Sequence, residues 1–333
     1  MFPNQSSKRG IFAPPTPFQQ FLWSPLKYLT HHFYFYINSL SQVPIPPHPP
    51  VRVVCISDTH NRTPSVPDGD LLIHAGDLTN GGTIAESQAQ IDWPDSLPHK
   101  HKVAIASNHD AWLDAASRST LSLADQENSP DWKSIRYMQS EALSISFTAV
   151  NSNTGEDMER MINIYAAPHV PLCGGTSFAF QYQQHLHPWQ YSIPKNTNIL
   201  VTHTPPRYYR DISGGNFVNL GCQGLLEEIW RVKPKLHVFG HVHVGRGRTV
   251  VQWDRGQKAY EKACERKFGG LWEAFSPRAW MQLWTVVLCG VWGILKKPLG
   301  QKSGYKQNSV LVNAAMWYDL PGNLENPVQL IDI

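Results

Sequence analysis

Cysteine is scarce and scattered. Cys55, Cys173, Cys222, Cys264 and Cys289 are five in 333 residues, an odd number with no CxxC pair. This argues against a zinc knuckle, a disulfide framework and a disulfide-linked partner, and for a reduced, cytoplasmic protein. Charge is sparse too: 17% of residues are charged, and 29 Lys and Arg against 26 Asp and Glu leave only +3. A nucleic-acid footprint needs a clustered basic face, which this balance does not suggest. No apolar h-region follows Lys8 and Arg9, so no secretory signal is expected. There is no P-loop, no G-x-G-x-x-G fingerprint, no G-x-S-x-G elbow and no internal repeat.

What is present is enough apolar residue, 41%, to bury a substantial core. Residues 1–50 read as an aromatic arm, with an amphipathic helix from Phe21 to Leu40 interrupted by Pro25. It ends in a stiff proline-rich linker, Pro44 to Pro50. From Val51 short β-branched runs recur: Val51–Ser57, Asp70–His74, Lys102–Ala106, Ile162–Ala166, Asn198–Thr202 and Leu236–Phe239. Polar or helical stretches such as Gly224–Arg231 separate them, and strands return at Ser309–Ala314 and Val328–Ile331. That alternation predicts a layered α/β domain over residues 51–333.

Polar residues of metal-ligating type follow the predicted strands. Asp58 and His60 come after the first, Asp77 after the second, and Asn108, His109 and Asp110 after the third. His203 ends a later strand, and Gly240-His241-Val242-His243 follows the next. Strand-to-loop junctions on one sheet edge are where open α/β folds place ligands, so pieces distant in sequence can converge. Two divalent cations held close together clamp a phosphoryl group and activate a water. One carboxylate must then bridge them, and Asp77 is the natural candidate. Mixed nitrogen and oxygen donors suit Mn²⁺, Fe or Zn²⁺. The period of two puts His241 and His243 on one face if the backbone there is extended.

In this order, D-x-H, G-D, N-H-D, H, G-H-x-H, the chain resembles the calcineurin-like metallophosphoesterases. Val201-Thr202-His203-Thr204-Pro205-Pro206 and Lys233 to His241 resemble their metallophosphoesterase-domain-containing phosphodiesterases. The resemblance implies a four-layer α/β/β/α sandwich and a binuclear centre, with Asp58, His60, Asp77 and His243 on one metal. Asp77, Asn108, His203 and His241 would hold the other. It further implies a metal-bridging hydroxide as nucleophile, His109 as proton donor or phosphate contact, and a small phosphoester substrate such as a nucleotide-type phosphodiester. Arg207, just after the His203 loop, is the candidate substrate contact.

Two departures stand out. Ser107 replaces the usual glycine before Asn108, where a side chain could crowd the turn. No arginine follows Gly76-Asp77, which disfavours a phosphoprotein substrate.

Residues 253–306 look like an insertion in this pattern. Seventeen residues, Ala279–Leu295, have only Gln282 and Thr285 as uncharged polar side chains. A bilayer span needs about 20, and one crossing would separate the strands on either side. Two expectations remain for this helix: contact with a membrane interface through Trp280, Trp284 and Trp292, or docking on residues 21–40. With the insertion comes a rival to the enzyme reading, a weakly catalytic or non-catalytic metal-binding scaffold that recruits a partner or membrane.

Overall fold

The computed structural model describes residues 16–40, 46, 49–150, 157–212, 218–296, 308–318, 323–324 and 326–333. The chain divides into two compact units. One comprises residues 42–211, 221–253 and 302–333, the other residues 1–41, 212–220 and 254–301. Most of the proline-rich run lies outside the described residues; Pro46, Pro49 and Pro50 are within them.

The first unit is built on eleven principal strands: β1 (Arg52–Ile56), β2 (Leu71–Ala75), β3 (His101–Ile105), β4 (Arg136–Tyr137), β5 (Glu141–Val150), β6 (Asp157–Ala167), β7 (Ile199–Thr202), β8 (Leu236–Phe239), β9 (Gly247–Gln252), β10 (Asn308–Asn313) and β11 (Gln329–Asp332). They form two sheets, ordered β11-β1-β2-β3-β4 and β9-β10-β8-β7-β6-β5. In the first, β1 to β4 are parallel and β11 runs against β1. In the second, β10, β8, β7 and β6 are parallel, flanked by antiparallel β9 and β5.

The period of two along each strand explains the layering. Val53, Cys55, Leu71, Ile73, Val103 and Ile105 point inward. They meet Ile162, Ile164, Ile199, Val201, Leu236, Val238, Val310 and Val312 of the other sheet in one core. The intervening Val54, Ile56 and Leu72 point outward and are covered by Trp93, from the helix Ile84–Asp95, and by Leu97. On the opposite side Tyr165 and Leu200 are covered by Leu225, Ile229 and Val232 of the helix Gln223–Val232. These are the four layers, α/β/β/α, that the resemblance implies. Both outer helices are locally specified. Thr83 and Glu86 form a capping box at the start of one, and Lys233 closes the other in the left-handed conformation, φ 53°.

In the second unit Pro25 does not interrupt one helix but starts a new one. Pro17–Trp23 ends at Ser24, and Pro25–Ser39 begins with the proline at its first position, where an N–H is not needed. Arg255–Glu265 and Pro277–Lys296 complete the unit. Ala279, Leu283 and Val287 pack on Leu26 and Leu29. Gly290 allows the helices to close, since a Cβ there would lie 2.5 Å from Ile37. Tyr34 stacks on Tyr260 with centroids 3.8 Å apart and donates its hydroxyl to Gln257 at 2.6 Å. Of the two expectations for the apolar helix, docking on residues 21–40 is the one its inner face fulfils.

Candidate metal centre

The loops after the parallel strands carry an unusual backbone. Asp58, His60, Asp77 and His241 have φ of 55°, 46°, 53° and 68°. For residues with a Cβ this conformation costs roughly 1–3 kcal/mol each, and it persists where the surroundings over-determine it. Gly76, φ 92°, is indispensable: a Cβ there would lie 2.7 Å from Ser107 Cβ and 2.8 Å from His203 Nδ1. A Cβ on Gly240 would fall onto Asp58 and Ser57.

The loops bring two sets of donors together. The ligating atoms of Asp58, His60, Asp77 and His243 lie within 4.8 Å of one another, and so do those of Asp77, His203 and His241. Asp77 belongs to both. Its Oδ2 is 3.6 Å from His60 Nε2 and 3.4 Å from His203 Nε2. His241 and His243 fall into different sets, as the resemblance implies. The backbone is not extended there: His241 is left-handed and a 3₁₀ turn starts at His243.

These groups fit divalent cations. Both ring nitrogens of His60, Asn108 Oδ1 and His203 Nε2 are buried without a hydrogen-bond partner. Leaving such atoms unpaired costs about 1–3 kcal/mol each, and cations would satisfy Asn108 Oδ1, His203 Nε2 and one of the two His60 nitrogens. The neighbours hold the ligands in place. Ala75 O accepts from His203 Nδ1 at 2.8 Å, which leaves Nε2 facing Asp77. Asp58 accepts from the His241 amide at 3.1 Å and lies 3.1 Å from His243 Nε2. His74 is buried behind them, its Nε2 2.9 Å from the Thr59 hydroxyl.

Burial pushes the Asp58 carboxyl upward, but the hydrogen bond and charge of His243, with that of His203, outweigh it and hold it at about 2. The same contest lowers Asp77, where His203 and His60 win over burial. Burial lowers His203, yet Asp77 and Asp58 overcome it and raise it to about 9. The field that favours a proton there equally favours a cation in its place.

The proposed proton donor lies at the rim. The only polar role open to Asn80 O is acceptance, so the 2.9 Å contact puts a proton on His109 Nδ1 and frees Nε2. The ring sits 5.0 Å from His60 on one side and 5.0 Å from Phe178 on the other. Trp317 lies 5.0 Å from His60. Arg207, the candidate substrate contact, is exposed with its guanidinium over Tyr208.

Ser107 does not crowd the Asn108 turn. Its hydroxyl turns inward, donating to the Asp77 carboxylate and accepting from the Asp77 amide. Asp110 completes the support, accepting from the amides of Ser107 at 2.9 Å and Thr79 at 3.0 Å and from the Thr79 hydroxyl at 2.9 Å. Burial and the repulsion of Asp77 push Asp110 up to about 6. The sequence marked Asp110 only as the last letter of N-H-D. Its job of tying the Asp77 and Asn108 loops together, like the aromatic flanks Phe178 and Trp317, was not legible there.

The sequence profile of the calcineurin-like phosphoesterases matches residues 51–245. The chain is 42% identical over 214 residues to a probable rhamnogalacturonate lyase C of Emericella nidulans, covering 63% of this chain but 19% of that protein. It is 36% identical over 213 residues to metallophosphoesterase domain-containing protein 1 of Homo sapiens, covering 61% of this chain and 65% of that one. A UPF0046 protein of Caenorhabditis elegans is 30% identical over 237 residues, 68% of this chain and 76% of its own. With the motif order, the four layers and the shared Asp77 in place, the chain belongs to the calcineurin-like phosphoesterases, a family of metal-dependent phosphoesterases.

Proposed function

We propose that the protein hydrolyses a small phosphodiester with two divalent ions. Asp58, His60, Asp77 and His243 would hold one, and Asp77, Asn108, His203 and His241 the other. The observation that carries this reading is the sharing of Asp77 between two convergent donor sets. Bound divalent ions supply polarisation of the phosphoryl oxygens and a water acidified enough to attack phosphorus. Mn²⁺, Fe and Zn²⁺ suit the nitrogen and oxygen donors.

The chain's own residues then do the rest. Ala75 O fixes the orientation of His203 through its Nδ1. His109, with its Nδ1 proton on Asn80, presents Nε2 to hand a proton to the leaving oxygen. The diester reading rests on the resemblance of Val201 to Pro206 and of Lys233 to His241 to the phosphodiesterases of the family. Phe178 and Trp317 offer ring faces to organic groups on the ester.

The test is turnover of bis(p-nitrophenyl) phosphate against p-nitrophenyl phosphate by the Mn²⁺-loaded protein. The expected result is a kcat/KM at least about tenfold higher for the diester, lost together with bound metal in Asp77→Asn. Turnover equal to that of Asp77→Asn on both esters would instead favour the scaffold reading.

A further inference from the structure

We infer that the helical unit docks on an anionic lipid surface through the outer stripe of Pro277–Lys296. The helix is apolar on two sides. Its inner side, with Ala279, Leu283 and Val286 buried, is spent on the unit's own packing. Its outer side exposes Trp280, Met281, Trp284, Leu288, Trp292 and Leu295. At 1.5 Å per residue that stripe runs about 22 Å. Aromatic rings extend it: Trp280 Nε1 bonds to Ala274 O at 2.8 Å, next to the paired rings of Trp272 and Phe275, both about four-fifths exposed.

Length and composition would let this helix cross a membrane. The strand connections forbid a single crossing. The chain leaves β9, traverses the helix and returns as β10, and these two strands pair residue for residue from Gly247↔Asn313 to Gln252↔Asn308. One crossing would put them on opposite faces, and a return through hydrocarbon would strand backbone polar groups. With one side already packed, the helix can lie along an interface, where tryptophan is favoured at headgroup depth.

Charge selects the occupant. Among the described residues, the helical unit holds eight Lys and Arg against four Asp and Glu, a net of +4. The other unit holds sixteen against nineteen, a net of −3. The positive excess of the described residues thus belongs to the unit that carries the aromatic stripe. A second copy presenting the same positive unit would be repelled, whereas an anionic leaflet attracts it.

The experiment is flotation of the full chain with vesicles of phosphatidylcholine alone or with about 30 mol % phosphatidylserine. Partitioning should be at least about tenfold stronger with phosphatidylserine. It should weaken severalfold from about 0.1 to 0.5 M NaCl, as the screening length falls below about 10 Å. Trp284→Glu with Leu288→Glu should cut partitioning at least about tenfold with unchanged thermal melting by circular dichroism. Independently of any variant, brominated lipid should quench the tryptophan emission of the unaltered protein. Equal recovery on both vesicles, an unquenched emission, or a salt-stable dimer dispersed by the same two substitutions would overturn the inference; the last would give the stripe to a second copy.

Discussion

His109 differs from its neighbours in what it lacks: a place in either donor set. Its Nδ1 is committed to Asn80 O at 2.9 Å, so only Nε2 can exchange a proton. General acids of this kind contribute about 10²–10⁴-fold in rate. His109→Ala should lose activity in that range while keeping the metal content of the unaltered protein, measured by elemental analysis. The loss should shrink for p-nitrophenyl esters, whose leaving group departs without a proton, relative to alkyl esters. Equal losses on both would rule out the acid role, and loss of metal would make His109 a ligand. At this scale the donors were legible because each directly follows an apolar strand. Ser107 was not. Its hydroxyl reaches a carboxylate thirty positions earlier in the chain, and no local pattern encodes a contact between two loops.

Among the elements, the helical unit depends on one buried carboxylate. Glu273 accepts from the Ser24 hydroxyl at 2.7 Å and from the Leu26 and Lys27 amides at 2.9 and 3.2 Å, at the start of Pro25–Ser39. Arg266 pairs with it at 2.8 Å. It satisfies helix N-terminal donors and counters the positive end of the helix dipole, while Arg266 balances its charge. Removing one partner of a buried pair costs about 3–5 kcal/mol. Glu273→Ala should therefore destabilise the unit by roughly that amount, read from chemical denaturation followed by tryptophan emission. A change below about 1 kcal/mol would show the carboxylate to be dispensable.

The elements themselves were unevenly legible. β8 is found at Leu236–Phe239, where the sequence predicts a short buried strand. β5 escaped, because its inward Leu143, Ile145 and Phe147 alternate with Ser144, Ser146 and Thr148, a half-polar texture with no solid apolar run.

Taken as a whole, the molecule hides neutral histidines in both units, and this ties its stability to pH. Burial pushes His237, behind the metal loops on β8, from 6.5 down to about 3; its Nε2 lies 2.8 Å from the Thr202 hydroxyl. In the helical unit burial, helped by His32 and Lys27, lowers His31 from 6.5 to about 4. Below pH 6.5 the unfolded chain takes up protons that these folded rings refuse. Their stabilisation is thus complete above 6.5 and drains away as pH falls, toward 4 for His31 and toward 3 for His237. For His237 the loss at pH 5 is about 2 kcal/mol, because each tenfold rise in proton activity below pH 6.5 costs about 1.4 kcal/mol. The Asp58 carboxylate, held at about 2, gives up its contribution only below about pH 4, so it does not affect the interval from pH 7 to 5. Denaturation midpoints measured at pH 7, 6 and 5 should fall steadily. His237→Leu should be less stable at pH 7, because it loses the Thr202 contact, yet show a shallower fall to pH 5. A parallel fall in the substituted protein would assign the acid sensitivity to other groups. No change in either protein over this interval would mean that the folded ring is protonated despite its burial.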